Sequence, residues 1–485
     1  MKKPAVVSLL LLLVLLISSF FIKLSAIPIR IWDEARLANN ALEMYLNGNW
    51  IVTYYDGSPD MYNTKPPLLI WLQVINMHLF GLNEAAVRIP SALASVSTGI
   101  LIWWFLKKRL EDHWAGFLAG SVFATTFAYV YIHAGRTGDY DALLSLFTTL
   151  YCLSIYFFIT EKKTGWLYLF WLCISLAGLT KGVASLLFLP GIALFILFQK
   201  GTMALLFNKH FYIGALAFVV LVGGYYLLRE QYNPGYLKAV WENELGGRYG
   251  TVLEGHGHPF NYFFRNMYRW RNEYWFYFIV PALVTGLAIQ NKEIRRISLF
   301  NVLMVLPYFL IISSAQTKLE WYDIPLYPFL SIQIAILLYF VWHWAKQWIN
   351  KQQLRTAFAI ASFMLIFFFP FQQCWNFVHH FGEKPWDNDP HKQSYYLQNA
   401  IRQNKDLTDY YFCYSDYNGQ IKFYVEVLRH QGVKVDLNNS LEFLSAGKKV
   451  VVSQKPLMDS LQQNFAVQKL EEAFGCTVYL VQRRL

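Results

Sequence analysis

Apolar runs long enough to cross a bilayer recur along the chain at about 4–22, 88–106, 114–134, 142–160, 166–180, 183–199, 211–229, 274–290, 297–315, 325–344 and 356–372. They predict a polytopic α-helical membrane protein of about 11 transmembrane helices, an odd number that puts the two chain ends on opposite sides. The first run follows Met1-Lys-Lys-Pro4. It has a weak signal-peptide cleavage site at Leu24-Ser-Ala26, but its roughly 18 apolar residues suffice to span, so it reads as an uncleaved first helix. Residues 66–82 are also apolar. That segment opens on two prolines and carries Gln73, Asn76 and His78, so it reads as an interfacial or re-entrant helix at the outer surface.

Beyond residue 372 the pattern changes: apolar stretches shorten and charge rises. Tyr410 to Tyr414, Val433 to Leu437, Lys449 to Ser453 and Thr477 to Val481 read as short strands. Gly419 to Gln431, closed by Gly432, and Pro456 to Phe465 read as helices. The expected organisation is therefore a membrane domain over 1–372, with an outer first loop at 23–87, and a small C-terminal extracytoplasmic α/β domain over 373–485.

Basic clusters set the orientation. Lys2/Lys3, Lys107-Lys-Arg109, Lys162/Lys163, Lys200 with Lys209, Lys292 with Arg295/Arg296, and Lys346, Lys351 and Arg355 fall on alternate loops. The positive-inside rule puts these loops and the N-terminus in the cytoplasm and the C-terminal domain outside, as in a multi-pass protein of the cytoplasmic (inner) membrane. Composition agrees: 55% of residues are hydrophobic and only 15% charged, too few charges for a soluble chain of 485 residues. The net charge of +11 is scattered in loop clusters and forms no nucleic-acid stripe. The five cysteines show no CxxC spacing; Cys413 and Cys476 are left open as a pair. Neither GxGxxG nor a P-loop occurs.

With the orientation set, the unusual polar residues gather on the opposite face: Asp33, Glu34 and Lys65; Arg136, Asp139 and Asp141; Lys181; His256 and His258; Lys318, Glu320, Tyr322 and Asp323. Asp33 and Glu34 pair carboxylates that suit a general base or a divalent cation, and Asp33 equally suits the N-cap of the helix that follows. Lys65 precedes Pro66-Pro67, is barred from a helix interior, and would hang at headgroup depth, where phosphates lie. Asp141 sits at the junction of two helices, where a cap competes with pairing to Arg136 or a cation. Lys181 stands in a tight turn before Gly182. His256 and His258 are a weak metal signal against a solvated loop. Lys318 and Tyr322, four apart, share a face if that stretch is helical.

Outside the cytoplasm a group-transfer enzyme lacks nucleotides and needs a donor that has already crossed the membrane. A polyprenyl phosphate sugar meets this need: when the sugar leaves, the phosphodiester's single charge becomes a monoester's near-double charge, and cations aimed at it stabilise the transition state most.

At these residues the chain resembles the GT-C polyprenyl-phosphate glycosyltransferases of the protein O-mannosyltransferase and lipid A aminoarabinose transferase type. The resemblance covers about 1–345 and rests chiefly on Trp32-Asp-Glu-Ala-Arg36 and Lys65-Pro-Pro67. Supporting matches are Arg136 with Asp141, Leu179-Thr-Lys-Gly182, His256-Gly-His-Pro-Phe260, and Lys318 with Tyr322-Asp-Ile-Pro325. It implies Asp33 as the catalytic or acceptor-orienting carboxylate, with Glu34 in support. It also implies Lys65, Arg136, Asp141, Lys181, His256, Lys318 and Tyr322 as the donor and phosphate site. Thr64 stands where aminoarabinose transferases carry an acidic residue that helps bind zinc, a departure that leaves both a metal site built like theirs and the transfer of aminoarabinose itself open.

The expected activity is inverting transfer of a sugar from a polyprenyl phosphate carrier to a lipid A, glycan or protein acceptor at the outer face of the membrane. Membrane lipids are further partners, and nucleic acid is not. No cofactor is required by this chemistry; the metal is unknown and a divalent cation stays open. The competing expectation is a lipid-linked sugar flippase or transporter, which would place its polar groups near the bilayer midplane in repeated halves.

Overall fold

A computed structural model describes residues 3–199, 205, 207–380 and 389–485. Lys2 and Lys200 of the basic clusters lie outside the described residues. The chain separates into two compact units, each discontinuous in sequence: Met1–Ile22, Asp60–Leu69 and Ile89–Val378 form the first, and Lys23–Pro59, Ile70–Arg88 and His379–Leu485 form the second.

The protein is a multi-pass, mostly helical membrane protein. Among the described residues, eight helices are long and apolar enough to span: Lys3–Phe20, Glu84–Leu110, Tyr140–Glu161, Thr164–Leu186, Lys209–Tyr232, Lys292–Ser314, Glu320–Gln347 and Gln352–His380. Three of the expected runs resolve into shorter helices. The run at 114–134 stops as a helix at Ala124, where the Thr125 and Thr126 hydroxyls donate back to the carbonyls of Ser121 and Val122. The run at 183–199 is interrupted by a 3₁₀ turn, Gly182–Leu186, before the 10-residue helix Leu189–Phe198. The run at 274–290 is the 16-residue helix Glu273–Ala288. At 1.5 Å per residue such helices are about 15–24 Å long, short of a hydrocarbon core of about 30 Å. Leu68–Phe80, after the two prolines, is likewise only 13 residues.

In the first unit, one set of helix ends is tied by ions. Lys108 lies 2.7 Å from Glu161 and over the Phe157 ring, and Arg109 lies 2.5 Å from Glu293, which also accepts the Tyr156 hydroxyl. These bonds join the 107–109 cluster to the helices Tyr140–Glu161 and Lys292–Ser314.

The second unit holds a two-residue hairpin, β1 (Tyr54–Tyr55) and β2 (Ser58–Pro59), and a five-stranded sheet. The sheet comprises β3 (Tyr410–Cys413), β4 (Val435–Asn438), β5 (Lys449–Val452), β6 (Phe465–Ala473) and β7 (Cys476–Arg484), in the order β4-β3-β5-β7-β6. β3 pairs parallel with β4 and β5; β7 pairs antiparallel with β5 and β6. Its core gathers Tyr411, Val450, Val452, Leu461, Phe465 and Val481. The expected strands and the helices Gly419–His430 and Lys455–Asn464 are present. The helix Lys392–Arg402 and strand β6 are additions. β6 lies at the sheet edge and carries Lys469, Glu471 and Glu472, so it lacks the apolar alternation that marks a strand. Cys413 and Cys476 are thiols on β3 and β7, with β5 between them; two strand spacings of about 4.8 Å exceed disulfide reach, so the pair left open by the sequence does not form.

The first-loop residues 23–59 fold with this domain. Asn39 donates to the Gly419 carbonyl at 2.8 Å, the Ile29 amide donates to the Tyr424 hydroxyl at 2.9 Å, and Lys422 pairs with Asp56.

Candidate active site

In the first unit, five separated stretches bring their polar side chains together. Asn63 donates to the hydroxyl of Tyr140, the residue before Asp141, and the Lys65 ammonium lies 5.9 Å from the centre of the same ring. Lys65 is also 3.0 Å from Glu244, whose carboxylate oxygen accepts the Thr64 hydroxyl at 3.0 Å. Tyr236 donates to the Thr64 carbonyl at 2.7 Å. This fixes the Lys65-Pro-Pro segment in an extended turn before the helix begins.

The Asp141 carboxylate is buried and 2.6 Å from the Lys181 ammonium, which in turn lies 5.7 Å from the centre of the Tyr322 ring. Lys181 ends its helix because Gly182 adopts φ +53; a side chain there would strain the backbone and collide with the Tyr226 hydroxyl. The cap expected of Asp141 is not made, since it stands inside the first turn behind Asp139. Nor does it pair with Arg136, whose guanidinium donates to the carbonyls of Ser19 and Ile22 at 2.8 and 2.7 Å. His133 stacks on Trp321 at 3.5 Å and approaches Asp139 at 3.6 Å.

Lys318 belongs to the same unit. Its amide donates to the His256 carbonyl at 3.0 Å, and its ammonium to the His258 carbonyl at 2.8 Å and to the Ala315 carbonyl. The side chain is only 4% exposed, and among the described residues no carboxylate lies within ion-pair distance of it. Burial pulls its basicity below the usual lysine range. Burial also lowers His258, with His256 and Lys318 adding to the effect. The expected helical face shared by Lys318 and Tyr322 is absent: the 3₁₀ helix Glu320–Leu326 starts after Lys318. Next to Tyr322, the Asp323 carboxylate is fully buried between Arg271 at 3.1 Å and the Tyr327 hydroxyl at 2.8 Å.

Asp33 and Glu34 lie in the second unit. Asp33 is the first residue of the helix Asp33–Asn47. The cap position goes to Trp32, at φ 68 and without a side-chain cap bond, so the expected capping role of Asp33 does not hold. Glu34 is 2% exposed and gripped by Arg88 through both oxygens, at 2.7 and 2.8 Å, while the Arg30 amide donates to it at 2.9 Å. Arg88 uses its remaining donors on the carbonyls of Leu24, Ile27 and Pro28. Sequence reading missed Glu244, His133, Arg88 and Arg271. His133, Arg88 and Arg271 each stand near the end of an apolar run, whereas Glu244, well past the run that ends at 229, carried no such signal.

The comparisons with known proteins agree with this architecture. Residues 64–226 match the family model described as dolichyl-phosphate-mannose-protein mannosyltransferase. An uncharacterized protein of Aquifex aeolicus is 28% identical over 63% of this chain and 59% of its own length. An undecaprenyl phosphate-alpha-4-amino-4-deoxy-L-arabinose arabinosyl transferase of Aeromonas hydrophila is 26% identical over 62% of this chain and 55% of its own. The matches thus span less than two thirds of the length of either relative. Among solved structures, ArnT from Cupriavidus metallidurans bound to undecaprenyl phosphate superposes with a TM-score of 0.68, at 15% identity over 99% of this chain and 98% of that one. The Archaeoglobus fulgidus oligosaccharyltransferase superposes at 0.56, with 12% identity over 90% and 65%. The fold is therefore the GT-C fold. Within that class the chain is similar to mannosyltransferases over residues 64–226 and to aminoarabinose transferases over the stretches given above.

Proposed function

We propose that the chain is an inverting glycosyltransferase that moves a sugar from a polyprenyl phosphate carrier to an acceptor at the outer face of the cytoplasmic membrane. The observation that carries this reading is Lys318: a buried ammonium held by carbonyls, with no carboxylate beside it among the described residues, is costly until an anion arrives. Lys65 is the second cation, and Glu244 holds it in the meantime. A donor phosphate would compete with Glu244 for that ammonium, and the leaving phosphate, with its extra charge, would compete better still. Relatives support the choice of anion: the Aeromonas protein is named for an undecaprenyl phosphate sugar, and the Cupriavidus structure holds undecaprenyl phosphate.

In this reading Asp33 takes the proton of the acceptor hydroxyl as its oxygen bonds to the anomeric carbon. The bond from that carbon to the phosphate oxygen breaks on the opposite side, and its electrons stay on the phosphate. A phosphate leaving group needs no acid. Asp141, fixed by Lys181, and Tyr322 would line the sugar pocket. Glu34 orients the Asp33 turn through Arg88. Arg136 and His256 support the site through backbone contacts, holding 19–22 and positioning Lys318. Zinc of the kind that aminoarabinose transferases bind beside this lysine does not fit here: the Thr64 hydroxyl and the Lys65 ammonium both already engage Glu244. No step is routed through a metal.

The rival reading is a flippase, and detergent separates the two because flipping needs compartments. Purified protein in micelles is expected to release polyprenyl phosphate and glycosylate an acceptor at a steady rate. Carrier translocation in liposomes without any transfer in micelles would replace the enzyme reading by the rival.

A further inference from the structure

Beside Asp33, the second unit builds a feature that the transfer reaction as described leaves unused. Trp32 has φ 68 and ψ −116, a conformation that a bulky L-residue adopts only when its surroundings hold it there. Its indole stacks on Tyr417, with ring centres 4.7 Å apart and planes 13° apart, yet the residue is 61% exposed. The Tyr417 hydroxyl reaches back to the Trp32 carbonyl at 3.5 Å, and Tyr417 is also the hydrogen-bond neighbour of Tyr55. Gly419 leaves room for that hydroxyl, which a Cβ would strike. Arg36, one helical turn past Asp33, places its guanidinium carbon 4.4 Å from the centre of the Tyr55 ring, and Lys422 approaches the same ring at 5.3 Å.

Tyr417 is placed where an α/β sheet offers a binding crevice. It follows the carboxyl end of β3, whose parallel neighbours β4 and β5 lie on either side, so the chain crosses over there in opposite directions. An open indole face beside a carboxylate and a guanidinium is the surface that a sugar ring recognises. The C–H face of the ring covers the aromatic, and its hydroxyls meet the charged groups.

We propose that the Trp32–Tyr417 stack, with Arg36, is a subsite for a carbohydrate ring of the acceptor, contributed by the C-terminal domain next to Asp33. This rests on the glycosyltransferase reading above and deepens it by naming the acceptor class and giving the outer domain a task.

The test uses the full-length chain in detergent, with maltose and N,N′-diacetylchitobiose as probes in saturation-transfer NMR and as acceptors in the transfer assay. Wild-type protein is expected to saturate the sugar ring protons, and Trp32→Ala to lose the effect. In transfer, Trp32→Ala and Tyr417→Ala raise the acceptor KM at least tenfold. Their kcat falls less than threefold, and the affinity for undecaprenyl phosphate holds. Trp32→Phe, which keeps an aromatic face, recovers most of the lost affinity. Because Trp32 is mostly exposed, its truncation separates recognition from folding where Tyr417→Ala does not. An unchanged acceptor KM in Trp32→Ala, or a loss of donor affinity in its place, overturns the subsite. Sugar binding by wild type without any transfer would leave the subsite standing and overturn the enzyme reading.

Discussion

Asp33→Asn is expected to lower the kcat of sugar transfer by about 10³-fold while undecaprenyl phosphate binds as before. Asparagine keeps the shape of the side chain and removes only the basic oxygen. General-base catalysis contributes about 10²–10⁴-fold, so the loss falls within that range if the carboxylate takes the acceptor proton. The cap position of this helix is Trp32, not Asp33, and the thermal melt reads any folding defect separately from the loss of turnover. What the substitution removes from the helix is a first-turn charge, worth about 0.3–1 kcal/mol. Turnover of labelled donor at saturating acceptor, measured beside a thermal melt, decides the matter. A variant that melts normally and keeps a third or more of wild-type turnover removes Asp33 from the chemistry.

Arg88→Met is expected to cost about 3–5 kcal/mol of stability, enough to abolish monodisperse protein, because it strands a buried carboxylate. Glu34 would lose both of its guanidinium bonds, and the carbonyls of Leu24, Ile27 and Pro28 would lose their donors. Glu34→Gln should destabilise less, since the amide can still accept one bond from Arg88. The double variant Arg88→Met/Glu34→Met should recover much of the loss, because no charge is then left buried. Fluorescence-detected size exclusion after heating reads all three. Equal loss in the double and single variants would show that the pair itself is not what holds this turn. The series also separates the neighbouring carboxylates, since Asp33→Asn should spare stability and Arg88→Met should not.

The hydrophobic pattern made the long helices legible, because a bilayer demands continuous apolar length and little else satisfies it. It failed at 114–134, where the helix ends at Ala124 although the residues beyond it stay largely apolar, so hydropathy registers no break. It failed at β6, an edge strand whose charged residues look like loop. In the site, residue type and position picked out Lys65, Asp141, Lys181 and Lys318 as polar groups at helix ends; Asp141 and Lys181 pair directly, while Lys65 meets Glu244 and Lys318 meets the carbonyls of His258 and Ala315. What stayed illegible was partnership. Glu244 meets Lys65 across 179 residues, and Arg88 meets Glu34 across 54, distances along the chain at which no local spacing rule operates. Asp141 shows the same limit: its neighbour Arg136 was the natural partner in sequence, but Lys181, 40 residues on, is the partner in space.

The cation set of the first unit is the centre of this account, and undecaprenyl phosphate binding tests it most directly. Dissociation constants measured by native mass spectrometry for wild type and Lys318→Met should differ by about 10–100-fold, the worth of a charge-assisted hydrogen bond of about 1.5–3 kcal/mol, with neutral undecaprenol binding both proteins alike. Equal affinity of the two proteins for the phosphate would contradict the account.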